Sequence, residues 1–192
     1  GTNDFDVSPS AGPGPSYFLT TSVAPKLANS GFNGNSSVLF DGDSDSLATS
    51  SPIVTGTGDF AFYSVFSYAG GGAQEHALGG NYGLANDDGL EIYIYNGKLT
   101  LYSGGYVYDT SVVGPISQAT VHLVEVERVS GVVNVRIDNV LYANENFASS
   151  IDGLSNWTLA TSVDTTSGNT SPATLNIAEQ LIYSQALSAP DK

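Results

Sequence analysis

The stretch VHLVEVERVSGVVNVRIDNVLY, residues 121 to 142, decides the fold, because its alternation of side chains admits one pairing of two strands. With Ser130-Gly131 as a two-residue loop, Gly is free to take the positive φ that such turns require. Val129 then faces Val132, Val126 faces Val135 and Val124 faces Ile137. Counting outward by the strand period of two puts Val124, Val126, Val133, Val135 and Ile137 on one face, and Glu125, Glu127, Asn134 and Arg136 on the other. The first face is core and the second is expected to be wet. Glu125 lies across from Arg136, an opposite-charge pair that a slip of one residue would destroy. Asp138-Asn139 makes a second tight turn, and the chain returns as Val140-Leu141-Tyr142.

The rest of the chain repeats this grammar. From Tyr17 onward, short apolar runs such as SVLF, FAFYSVFSY, LEIYIY, KLTLY, NWTLATSV and LNIAEQLIY alternate with Gly, Asn, Asp and Pro, and no amphipathic helix of three turns can be drawn. Many strands with tight turns imply a sandwich or barrel. In LEIYIY-NG-KLTLY the Asn96-Gly97 dipeptide is a strong hairpin signal that sets Ile94 across from Leu99 and Ile92 across from Leu101. Glu91, Tyr93, Tyr95, Lys98, Thr100 and Tyr102 fall on the opposite face, which reads as a tyrosine surface. Residues 1 to 16, a Pro/Gly/Ser segment without periodicity, read as a linker or extended arm, and residues 17 to 192 as one domain.

Composition narrows the partners. The 192 residues carry a formal net charge of −14 with only five basic side chains, Lys26, Lys98, Arg128, Arg136 and Lys192. Such a surface repels nucleic acid and anionic membranes, and suits divalent cations or neutral glycans. Without cysteine, a disulfide frame, a thiol nucleophile and a zinc-thiolate site are all excluded. No apolar run approaches the roughly 20 residues of a helical membrane span. Met is also absent, so the chain is expected to be a processed piece of a larger polypeptide or assembly.

Four segments, in order, resemble the laminin G-like branch of the concanavalin A-like lectin and glucanase superfamily. SVLFDGDSDSLA (37 to 48) is similar to that family's early strand and turn, and GDFAFYSVFSYAG (58 to 70) to its aromatic-rich strand. VHLVEVERVSGVVNVRIDNVLYA (121 to 143) resembles the family's His-apolar-x-apolar strand with its following hairpin, and LNIAEQLIYSQALSAPD (175 to 191) the closing strand. Asn139 stands where Gly is usual, and Ala178-Glu179 where Asp-Glu is common. The resemblance implies an all-β, two-sheet antiparallel jelly-roll sandwich. It also implies a calcium ion at the end of the sandwich, held by Asp41, Asp45 and Glu179 with Asp43 as an extra ligand, since alternate carboxylates suit a hard cation. The plainer account of DGDSD is a solvated turn whose Asp side chains cap backbone amides.

A glycan site is expected on the tyrosine face and the loop before it. Sugars stack a C–H face on aromatic rings and need amide or carboxylate partners for their hydroxyls. Tyr93, Tyr95 and Tyr102 would supply the platform, and Tyr82, Asn86, Asp87 and Asp88 the polar contacts. The competing account makes these tyrosines cross-strand packing pairs.

No catalytic set is legible. Glycanases of the resembling superfamily carry Glu-x-Asp-x-x-Glu on one strand, and the one tempting acidic pair here, Glu125-Val-Glu127, does not complete that motif. Glu125 already faces Arg136 and Glu127 adjoins Arg128, which makes them a structural face. Neither His76 nor His122 has a recognisable nucleophile partner. The chain is therefore expected to be a non-catalytic binding module for a glycan, outside the cell or on a virion surface. The alternatives are a structural module of a larger surface or tail-fibre protein without a small ligand, and a lyase or hydrolase with an unfamiliar catalytic set.

Overall fold

The computed structural model describes residues 19–21, 25–32, 34–42, 47–50, 52–54, 56–70, 76–82, 89–103, 106–108, 115–147, 150–151, 156–160 and 174–187. The expected linker, residues 1 to 16, lies outside them. The described strands form two seven-stranded sheets, antiparallel throughout. One runs β1 (Leu19–Thr21), β4 (Leu47–Thr49), β13 (Thr158–Leu159), β6 (His76–Gly80), β7 (Glu91–Tyr95), β8 (Lys98–Ser103), β9 (Tyr106–Tyr108). The other runs β12 (Val140–Asn146), β11 (Val132–Ile137), β10 (His122–Val129), β5 (Phe60–Tyr68), β14 (Thr174–Tyr183), β3 (Asn35–Asp41), β2 (Lys26–Phe32). The result is the expected jelly-roll sandwich.

Both hairpins pair in the register that alternation dictates. Val124 meets Ile137, Glu125 meets Arg136, Val126 meets Val135 and Val129 meets Val132. Ile92 meets Leu101 and Ile94 meets Leu99. Each turn needs two residues at positive φ, and each has them: Ser130 at 52° with Gly131 at 79°, Asn96 at 51° with Gly97 at 72°, Asp138 at 52° with Asn139 at 66°. Paired positive φ matches the right-handed twist of the flanking strands. Asn139 tolerates that conformation because its short polar side chain can hydrogen-bond locally.

Phe62, Phe66, Val124, Val126, Val135, Ile92, Ile94, Leu99 and Trp157 meet between the sheets and are almost fully buried. Trp157 is core, with its ring 5.8 Å from Phe62. Fully burying one such aliphatic or aromatic side chain contributes roughly 1.5–3 kcal/mol. The end of the core is closed by a charge. Arg128 is fully buried, donates from Nε to Gly58 O at 2.7 Å and from Nη2 to Gly56 O at 2.9 Å, and lies 5.2 Å and 5.5 Å from the Phe60 and Phe147 rings. Burial pushes its pKa down, and Asp59 opposes that shift.

The opposite face of the central hairpin is not simply wet, contrary to the alternation reading. The Glu127 side chain is only 2% exposed and that of Glu125 14%. A period of two assigns a side to each residue. It carries no information about what neighbouring side chains close over that side.

Candidate functional site

The tyrosine face of β7 and β8 has the expected register but not the expected openness. Tyr93 pairs with Thr100 and Glu91 with Tyr102, all pointing away from the core cluster. Yet Tyr93, Glu91, Thr100 and Tyr82 are buried, Tyr102 is half-buried, and Tyr82 packs edge-on against Tyr102 at 4.8 Å. Tyr95 alone of the four is exposed. Three of these rings therefore serve packing, and the face is no flat platform. Asn86, Asp87 and Asp88 lie outside the described residues.

The calcium set is not brought together as drawn. Asp41 pairs with Thr174 on β14, whereas Glu179 sits opposite Val65 five residues further along that strand. At about 3.3 Å per residue the two are roughly 16 Å apart, far beyond one ion's reach. Asp41 instead lies 3.4 Å from Lys26 Nζ. Asp43 and Asp45 fall outside the described residues, and among those described no three His, Asp or Glu side chains cluster as a metal site.

Glu179 belongs to a different feature. A groove of about 630 Å³ is lined by Phe32, Asn35, Ser36, Val65, Val121, Ala178 and Glu179. These come from β2, β3, β5 and β14, four neighbouring strands of one sheet, and from the residue that leads into β10 beside them, so the groove runs across the strands. Val65 lies between the inward Ser64 and Phe66, so this is the solvent side of the sheet. Two irregularities border it. In β14, Ala178 is an extra residue between the pairs Ile177–Phe66 and Glu179–Val65, and in β2 the register shifts between Ala28 and Phe32. Bulges re-aim side chains and bend strands, which is how a flat sheet acquires a hollow. Asn35, Ser36 and Glu179 at the groove are exposed and supply amide, hydroxyl and carboxylate. Among the described lining residues Glu179 is the one ionisable group.

The same face continues along the strands. Leu181 and Tyr183 follow Glu179 at alternate positions of β14, opposite Tyr63 and Ala61 of β5, which in turn pair with Glu125 and Glu127 of β10. Tyr63 donates its hydroxyl proton to Glu127 Oε1 at 2.5 Å, and its ring meets Tyr183 edge-on at 6.4 Å. Burial, and then the bond and charge of Glu127, push the Tyr63 pKa well above that of a free tyrosine, which keeps it a neutral donor. Arg136 Nη1 stands 3.8 Å from both Glu125 Oε2 and Glu127 Oε2. The acidic pair is thus held by a cation and a phenol.

His122 has a partner that sequence reading missed. Its Nδ1 is 2.8 Å from Asp138 Oδ2, and its Nε2 is 3.1 Å from Ser117 Oγ, an order that superficially matches a hydrolytic triad. The Ser117 backbone N–H also donates to Nε2 at 3.1 Å. Neutral imidazole has a single acceptor lone pair, so a nitrogen already occupied by an amide cannot activate a hydroxyl. Asp138 Oδ1 meanwhile accepts from Leu123 N at 2.9 Å. The constellation locks the Asp138-Asn139 turn onto the start of β10.

No family model matches the chain, and no curated protein matches it. Solved structures do resemble it. A mutant of Trypanosoma rangeli sialidase displaying trans-sialidase activity superimposes with TM-score 0.66 at 11% identity over 91% of this chain, which spans 28% of the sialidase chain. Domain 4 of AbnA, a GH43 extracellular arabinanase from Geobacillus stearothermophilus in complex with arabinotriose, gives 0.65 at 16% identity, covering 97% of this chain and 90% of that one. The carbohydrate-binding module CBM66 from Bacillus subtilis gives 0.51 at 15% identity, covering 86% and 94%. At such identities the likeness establishes a shared β-sandwich fold.

Proposed function

We propose that this chain is a non-catalytic carbohydrate-binding module of the laminin G-like branch, acting outside the cell. The observation that carries the reading is the groove across β2, β3, β14, β5 and the start of β10, whose volume falls within the roughly 300–1,000 Å³ of ligand sites. It offers a ring and aliphatic walls beside an amide, a hydroxyl and a carboxylate, the mixture that a sugar's C–H faces and hydroxyls require. Fold likeness to a module named as carbohydrate-binding and to a domain bound to arabinotriose supports the same reading. With Glu179 as the ionisable group among its described lining residues and a net charge of −14 on the chain, the groove favours neutral glycans over sialylated, uronic or sulfated ones. Calcium enters this reading only at the Asp41-to-Asp45 turn, without Glu179.

A glycan array, with and without calcium, tests it. Saturable binding to neutral glycans is expected, lost in Asn35→Ala and Glu179→Ala with unchanged melting, since both side chains are exposed. Silence on the array selects the structural or tail-fibre module instead, preference for anionic glycans rejects the groove, and shortened product chains would establish an enzyme.

A further inference from the structure

Resting on that reading, we infer that the binding surface continues from the groove along β14 to a second, aromatic subsite formed by Tyr63 and Tyr183, so that the ligand is a linear glycan lying along the strand. Glu179, Leu181 and Tyr183 alternate on the solvent side of β14, and β5 sets Val65, Tyr63 and Ala61 beside them. Glu179 and Tyr183 are four residues apart, roughly 13 Å at strand rise, a distance that calls for several sugar units. Neither tyrosine belongs to the core between the sheets, and both are half-buried, leaving ring surface on the face that holds the groove.

What distinguishes Tyr63 from an ordinary surface tyrosine is its anchor. Its hydroxyl is bonded to the buried Glu127 carboxylate, and Arg136 stands against that carboxylate's other oxygen. The ring is therefore fixed before a ligand arrives, and a pre-ordered aromatic surrenders less conformational entropy on binding. Tyr183, edge-on to Tyr63, sets the second wall at an angle of 79°. Leu181 pairs with Tyr63 and supplies apolar floor between the groove and the rings. The groove would read hydroxyls and the tyrosine pair would stack on a C–H face further along the chain.

Titration calorimetry with linear arabinan and cellulose fragments of two and six units tests this on the whole chain. The six-unit fragment of at least one series is expected to bind more tightly than its two-unit fragment. Tyr183→Leu, which keeps apolar bulk but removes the ring, is expected to lose about tenfold in affinity for the longer fragment and nothing for the shorter. Tyr183→Phe is expected to retain the advantage of length. Equal losses at both lengths, no loss at either, or no binding by any fragment overturns the extension. Binding that disappears in Glu179→Ala but ignores chain length keeps the groove and rejects the second subsite. A silent glycan array rejects both.

Discussion

The two hairpins, β10–β11 in one sheet and β7–β8 in the other, are built to the same plan and end differently. Each has a two-residue turn at paired positive φ, an aliphatic inner face and a polar outer face in the register that alternation dictates. On β10–β11 the outer face carries charges held by one another, with Tyr63 of the adjacent strand bonded across to Glu127. On β7–β8 it carries Tyr93, Glu91 and Thr100, all buried, although they point away from the core. The difference teaches that strand period decides direction, whereas accessibility depends on the elements laid over the sheet.

The largest expected effect tests direction. Val135 is 1% exposed, and Val135→Asp places an unpaired charge between the sheets, at a cost of about 4 kcal/mol or more. That rivals the whole stability of an ordinary domain, roughly 5–15 kcal/mol. Asn134→Asp on the neighbouring position faces Glu127 across the pair, and like charges there cost about 1 kcal/mol or less. Equal losses in thermal or urea melts would break the account of the inner face.

The next effect tests accessibility. Tyr93→Ala removes a 7%-exposed ring and is expected to cost about 3 kcal/mol, whereas Tyr95→Ala, at a 40%-exposed position two residues on, should stay within about 0.5 kcal/mol. Urea titration of both variants measures the gap. If both are silent, the outer face of β7–β8 is as open as its tyrosine pattern suggests, and the glycan platform expected there returns to contention.

Much of the fold was legible, because valine and isoleucine at every second position leave one register and the dipeptides Ser130-Gly131, Asn96-Gly97 and Asp138-Asn139 mark the turns. Little of the site was. The groove depends on an extra residue at Ala178 and a register shift between Ala28 and Phe32, and neither bulge has a dipeptide signature. Phe32, Asn35, Ser36, Val65 and Val121 accordingly went unnoticed. Glu179 was assigned to an ion by resemblance, but only pairing between distant strands shows that Val65, and not Asp41, is its neighbour. His122 stands out in the sequence only by resemblance, whereas its bond to Asp138 depends on the second turn folding back over the start of β10.

The smallest effect concerns what holds the central register. The pair Glu125–Arg136 served to exclude a slipped alignment, yet its closest approach is 3.8 Å and Arg136 is shared with Glu127. A part-exposed, divided ion pair contributes little beyond its side-chain entropy cost, so a double-mutant cycle with Glu125→Ala and Arg136→Ala should give a coupling of about 0.5 kcal/mol. Arg136→Ala alone should cost more than Glu125→Ala, because it takes the cation away from the 2%-exposed Glu127 side chain, to which Tyr63 stays bonded. Under this account, register is set by the facing valines, whose burial is lost in a one-residue slip, and the charges merely agree with it. A measured coupling above about 2 kcal/mol would reverse that order, making the charges on the outer face of β10–β11 the element that specifies the register.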